Sequence, residues 1–261
     1  MKQILEDEVR YFAKLAEAAP PIRWRRFRPF KVVFKLGSPV VLSHPWIHFD
    51  SLISHLLLLE VFRQDYFITP KKLDLSPYLP KNNRLLPLKK TGEIYHASVS
   101  QFVPQYSVRI TRIYKRFEDK WAGDLDKKKI RVGSGHFRSY AMAEPYAACK
   151  EVVFYANGDL EIIKGLILRN VVGLGNDFRI GFGTVRDIIF KEIEEDWSLV
   201  AGEIAMRPIP VEMCEEYEEA AYIAYKGPYW NPKNVALCVP PGARCKLKNE
   251  YQGSTKKMDT E

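Results

Sequence analysis

Residues 173–193 read GLGNDFRIGFGTVRDIIFKEI, a glycine-rich loop that runs directly into an alternating apolar stretch. Gly173, Gly175, Gly181 and Gly183 open backbone conformations closed to other residues and let a partner approach the main chain closely. Arg179 lies inside the loop and offers a bidentate fork to phosphate. Thr184–Ile193 then reads as a final strand. The pattern is not a dinucleotide fingerprint, because Phe178 stands three residues after Gly175 and the loop follows a helix candidate instead of opening one. It is not a nucleotide-triphosphate loop either, since no Gly-Lys-Ser/Thr ends it. The same glycines would equally serve a tight helix-to-strand connection.

Working outward, Gln3–Ala18 places Leu5, Val9, Phe12 and Ala16 at helical spacing, and Pro20 and Pro21 end that helix. The stretch IRWRRFRPF follows, and Lys31–Leu36 is β-branched and aromatic enough for a strand. The clearest helix begins at Asp50 or Ser51 as N-cap and sets Leu52, Leu56, Leu59 and Phe62 on one face. Residues 69–92 carry four prolines amid Lys and Asn and read as an inserted loop. Glu93–Phe102 and Tyr106–Ile113 read as strands, and Lys115–Lys129 as a charged arm. Asn157-Gly158 between EVVFYA and DLEIIK predicts a hairpin over Glu151–Ile163, followed by a short helix over Gly165–Val172. This order predicts an α+β chain with a ferredoxin-like β-α-β-β-α-β core, insertions and a Pro-rich C-terminal extension. The expected domains are an N-terminal helix and basic arm (1–29), the ferredoxin-like domain (30–196) and a Pro/aromatic-rich extension (197–261).

Composition narrows the partner. There are 40 Lys+Arg against 32 Asp+Glu, a net charge of +8, and the basic residues cluster. Arg23–Lys31 and Asp124–Arg138 lean basic, while Glu192–Glu219 is acidic, which favours a basic face for a polyanion. No apolar run approaches the length that spans a bilayer, so no membrane partner is expected. The N-terminus lacks a signal-peptide core, so the expected location is cytoplasmic. Cys149, Cys214, Cys238 and Cys245 form neither a disulfide framework nor a zinc-ribbon spacing, so no metal or other cofactor is expected.

Two further segments could bind RNA. Arg131, His136 and Arg138 stand among glycines with Phe137 and Tyr140, so cations could hold phosphate while rings stack on unpaired bases. Arg23, Arg25 and Arg26 alternate with Trp24 and Phe27, a pattern that suits nucleic acid or an entry segment with solvated arginines. His44 and His48, at the entry to the first helix, are the histidine candidates for a general base, and either would equally serve as a helix-start group that hydrogen-bonds backbone. No Ser/His/Asp set or paired-carboxylate site stands out. The prolines and rings around Tyr229 and Trp230 suit a protein interface or a cover over a sheet.

A loop of the form G-x-G-x(n)-R-x-G-F-G entering the last strand of a ferredoxin-like unit resembles the RAMP superfamily of CRISPR RNA-binding proteins. KVVFKLGSPVVLSHPWIHFDSLISHLL is similar to the first strand, connection and first helix of the RAMP subunit of type IV complexes. RVGSGHFRSYAMAEPY, MRPIPVE and PYWNP…NVALCVPPG look like the same family. The resemblance implies a non-catalytic, Cas-five-type subunit that caps the 5′ handle of the crRNA. Its implied partners are the backbone RAMP subunits, the large subunit of the effector complex and, indirectly, the target nucleic acid. An endoribonuclease acting on guide precursors and a protein-only scaffold are the alternatives.

Overall fold

The structure, a computed structural model, describes residues 10–15, 26–63, 66, 86–104, 108–116, 133–134 and 138–251. Residues 10–15 are helical (α1), and Phe12 is buried edge-on against Phe62 with ring centroids 5.2 Å apart. Then follow β1 (Arg28–Leu36), β2 (Val40–Val41) and α2 (Phe49–Phe62). Next come β3 (Lys90–Thr91), β4 (Ile94–Tyr95), β5 (Gln101–Val103), β6 (Val108–Lys115), β7 (Tyr140–Ala147) and β8 (Glu151–Gly158). α3 (Leu160–Asn170) and β9 (Val185–Glu192) complete the first part of the chain. The second part holds short strands and two 3-10 turns (Val211–Met213 and Pro232–Asn234); the strands are β10 (Val200–Ala201), β11 (Ile204–Ala205), β12 (Ile209–Pro210), β13 (Cys214–Tyr217), β14 (Ala221–Ala224), β15 (Val235–Val239) and β16 (Cys245–Leu247). The class is mixed, with many strands and few helices.

The main sheet is antiparallel with the order β5-β8-β1-β9. Alternation along β1 sends Phe30, Val32 and Phe34 to one face, where α2 and α3 cover them. Phe154, across from Val32, stacks on Phe49 of α2 at 5.0 Å and meets Phe34 edge-on at 5.8 Å. Each such buried ring contributes about 1.5–3 kcal/mol. α2 is apolar on most sides and buries Ile53, Leu56, Leu57 and Phe62.

The expected hairpin at Asn157-Gly158 is not formed. β8 runs straight through both residues, and DLEIIK opens a helix. Asp159 is the reason, because its side chain accepts from the Ile162 amide and caps α3. Ile163, Leu166 and Ile167 then fall at helical spacing and are buried. Gly158 serves close approach instead of a turn. A Cβ there would overlap the Pro87 carbonyl, and the Lys89 amide donates to the Asn157 carbonyl at 2.7 Å. The helix expected over Gly165–Val172 is therefore the second half of α3.

The second part of the chain has its own apolar cluster of Leu199, Ile209, Met213, Cys214, Val239, Cys245 and Leu247, which Ile94 of β4 joins. Cys214 and Cys245 lie on paired strands with sulfurs 2.9 Å apart. No helix among the described residues is long and apolar enough to cross a membrane.

Candidate nucleic-acid interface

The glycine loop is stapled to the β1–β2 connection. The Asn176 amide donates to Val41 at 2.8 Å, Gly183 to Pro39 at 2.7 Å, and Thr184 to the Ser38 hydroxyl at 2.9 Å. Gly175 has φ +77°, and a Cβ there would overlap Val41 and Val40. Gly183 has φ +57°, and a Cβ there would overlap the Leu174 carbonyl. Gly173 lies against Phe178. Three of the four glycines thus serve packing within the chain. Only Gly181, at φ +101°, has open space where its Cβ would be. It follows a single 3-10 turn, Phe178–Ile180, which holds all three of its side chains at the surface. Arg179 there lies 5.8 Å from the Phe178 ring centroid.

β6 and β7 pair over eight residues, from Val108↔Ala147 to Lys115↔Tyr140, and stand between the second and third strands of the main sheet in chain order. Cross-strand partners share a face. One face carries Val108, Ile110 and Tyr114, which are 63, 71 and 67% exposed, together with Arg112, beside Ala141, Ala143 and Pro145. The other carries Arg109, Thr111, Ile113 and Lys115 beside Tyr140, Met142, Glu144 and Tyr146. Arg138 lies two residues before β7, exposed.

A cleft of about 970 Å³ opens where the start of α2, the β2–α2 connection, the glycine loop and the β14–β15 connection meet. Beneath it lies a buried polar chain. Arg207, wholly buried, donates to the carbonyls of Ala97 at 3.1 Å and Tyr225 at 2.7 Å, to the Tyr229 hydroxyl at 2.9 Å and to Asp50 at 3.3 Å. The Tyr229 hydroxyl donates in turn to Asp50 at 2.7 Å. The Tyr229 ring stacks on His48 at 3.5 Å with 12° between the planes. Burial lowers the His48 pKa to about 4 against the opposing pull of Asp50, so the imidazole is neutral at pH 7. Trp46 Nε1 donates to His48 Nε2 at 3.1 Å, which leaves the proton on Nδ1.

With this geometry in view, the family model described as CRISPR type IV associated protein Csf3 matches residues 93–241, more than half of the chain. The chain belongs to this family. The match takes in the β6–β7 hairpin, the glycine loop and the β14–β15 connection of the cleft, and it begins after β1 and α2. The chain is also similar to a chain in a cryo-EM structure of the Type III-B Cmr-beta bound to cognate target RNA. That likeness has 8% identity and a TM-score of 0.37, and covers 73% of this chain and 66% of that one. No curated protein matches.

The residues expected from sequence to bind RNA fall in three places within this Csf3 family member. Gly173, Gly175, Arg179, Gly181 and Gly183 share the loop, and Gly175 also lines the cleft. Arg138 and Tyr140 lie at the hairpin, while Arg131 and His136 lie outside the described residues. Arg26 is exposed just before β1, and Arg23 and Arg25 lie outside the described residues. Arg28 of the same stretch pairs with Glu192 at 2.7 Å, and Phe30 is core. His44 and His48 both line the cleft. Sequence reasoning passed over Arg109, Lys226, Trp46 and Arg207. Alternating Arg109, Thr111, Ile113 and Lys115 in the β6 sequence was the available signal for the first. Arg207, in MRPIPVE, has no local signal of burial, because its partners come from residues 50 to 229.

Proposed function

We propose that this chain is the non-catalytic crRNA-binding subunit that caps the 5′ handle of the guide in a type IV CRISPR ribonucleoprotein. The observation that carries the reading is the β6–β7 hairpin. One of its faces combines Arg109 with Tyr140 and Tyr146, next to Arg138, so cations for phosphate stand beside rings for bases. The strand order β5-β8-β1-β9, with α2 after β1 and α3 after β8, supports a ferredoxin-like core of the RAMP kind. The opposite face, where Val108, Ile110 and Tyr114 surround Arg112, suits a neighbouring protein subunit of the complex.

His48 supports the non-catalytic reading. A general base needs a free nitrogen lone pair, and the Nε2 lone pair is occupied by the Trp46 N–H. His44 is exposed at the rim and lacks such a brace among the described residues.

A salt titration of affinity for single-stranded 5′-handle RNA tests the proposal. Each lost phosphate contact on a single strand lowers the salt slope by about 0.7. Arg109→Ala with Arg138→Ala should weaken binding and flatten the slope by about 1.4. Tyr140→Ala should weaken binding by about 1–3 kcal/mol with the slope unchanged, since a stacked ring releases no counterion. Wild-type affinity at every salt concentration in both variants refutes hairpin contact with RNA.

A further inference from the structure

The cleft at the start of α2 has features that the hairpin reading leaves unused. Trp230 is 70% exposed, yet it stands on a braced turn. The Asn231 amide donates to the Pro228 carbonyl at 3.1 Å, the Asn234 side chain to the same carbonyl at 3.0 Å, and the Lys233 amide to Asn231 Oδ1 at 3.0 Å. A large ring on a fixed backbone is a ready stacking surface, because only its two side-chain torsions remain to be ordered on binding. Trp46 lines the same cleft, fixed by its bond to His48. Lys90, Lys226 and Glu93 line it as well; Glu93 offsets Lys226, so Lys90 supplies the positive charge. Lys226 is anchored by Glu93, and Lys90 lies 5.3 Å from the Tyr95 ring centroid.

His48 adds a directional donor. Its neutral ring keeps the proton on Nδ1, and no side chain or carbonyl among the described residues accepts from it. The ring cannot turn freely, because Tyr229 stacks on it and Trp46 holds its other nitrogen. Asn176, from the glycine loop, adds to the lining a side-chain amide with both donor and acceptor atoms. Rings, a cation and a fixed neutral donor in a concave site match an unpaired base with its phosphate. An apolar peptide side chain would leave the donor and the amide unpaired.

We propose that this cleft receives one unstacked nucleobase of single-stranded RNA, with Trp230 as the stacking surface and His48 as a hydrogen-bond donor to the base edge. The inference rests on the RNA-binding reading above and deepens it. The backbone would follow the hairpin and Lys90 while one base leaves the stack and enters the cleft.

The test uses the full chain and single-stranded RNA of about eight nucleotides, within the usual site size. Every position in turn is made abasic, which keeps the phosphates and removes one ring. Affinity should drop about tenfold at one position, within the range for a single stacked base, and little at the others. Trp230→Ala, at an exposed position, should weaken the intact RNA by a similar factor and erase the response to that abasic site. His48→Phe keeps the stack on Tyr229 and removes the donor, so it should reduce the response in part. A flat abasic scan with RNA still bound overturns the base pocket and leaves the RNA-binding reading standing. So does an unchanged positional response in Trp230→Ala. Failure of all the RNAs to bind overturns both and assigns the cleft to a protein neighbour.

Discussion

Arg207 is wholly buried, and its charge is answered by one carboxylate, one tyrosine hydroxyl and three carbonyls. Burial alone would lower its pKa, but Tyr229 and Asp50 together raise it, so the guanidinium keeps its proton. Nε has no partner among the described residues. Such a pair adds little net stability against a well-packed apolar replacement of both partners, yet loss of one partner strands the other's charge in the interior. Arg207→Met should therefore destabilise the chain by about 3–5 kcal/mol. Arg207→Met combined with Asp50→Leu should recover part of that loss. Urea denaturation of the single and double variants measures both, and additive losses in the double variant would refute the coupling.

At the scale of elements, the glycine loop separates conformational need from packing need. Gly181→Ala meets open space and bears only the cost of positive φ, about 1–2 kcal/mol. Gly183→Ala bears that cost and also overlaps the Leu174 carbonyl, which adds about 1–3 kcal/mol because backbone cannot yield as a side chain can. Thermal denaturation should rank Gly183→Ala well below Gly181→Ala, and equal midpoints would show that the loop moves aside. The loop was legible in the sequence as a loop, because its glycines are local signals. Its contact with Pro39 and Val41 was not, because that pairing is made across more than a hundred residues. α2 was legible for the same local reason, since its apolar residues recur at helical spacing, but its cap is His48 and not Asp50 or Ser51. α3 was misread at its start. Asn157-Gly158 is a strong turn signal in isolation, and only the strand segment at Leu88 shows why glycine stands there. Of the candidate site, Arg138 and Tyr140 were legible from composition. The His48–Tyr229 stack was not, because the two rings come together only when the β14–β15 connection folds over the start of α2.

At the scale of the whole molecule, the contacts between the two parts of the chain decide how far residues 197–261 are an extension. The Val99 amide donates to the Met206 carbonyl at 2.8 Å, Ile94 completes the second apolar cluster, and Arg207 reaches into the first part to pair with Asp50. Asp196 bridges from the junction. It accepts from the Asn157 side chain at 2.7 Å and pairs with His96 Nδ1 at 2.9 Å, and the Thr91 hydroxyl meets the other His96 nitrogen at 2.7 Å. Burial would raise the Asp196 carboxyl, but His96, Ser198 and Asn157 outweigh it and hold the group well below the usual carboxylate range. A chain ended after Asp196 keeps that bridge and loses Arg207, Tyr229 and the partners of Ile94. Asp50 then lies at the start of α2 without its guanidinium, beside an apolar surface newly open to water. The expected outcome is that residues 1–196 unfold at a much lower urea midpoint than the full chain, with amide exchange first enhanced at the start of α2 and at β4. The full chain should show one cooperative transition reported equally by Trp230 and by probes on β8. Two separate transitions, or a fragment as stable as the whole, would make the second part an appendage and would remove the structural support for a cleft built from both.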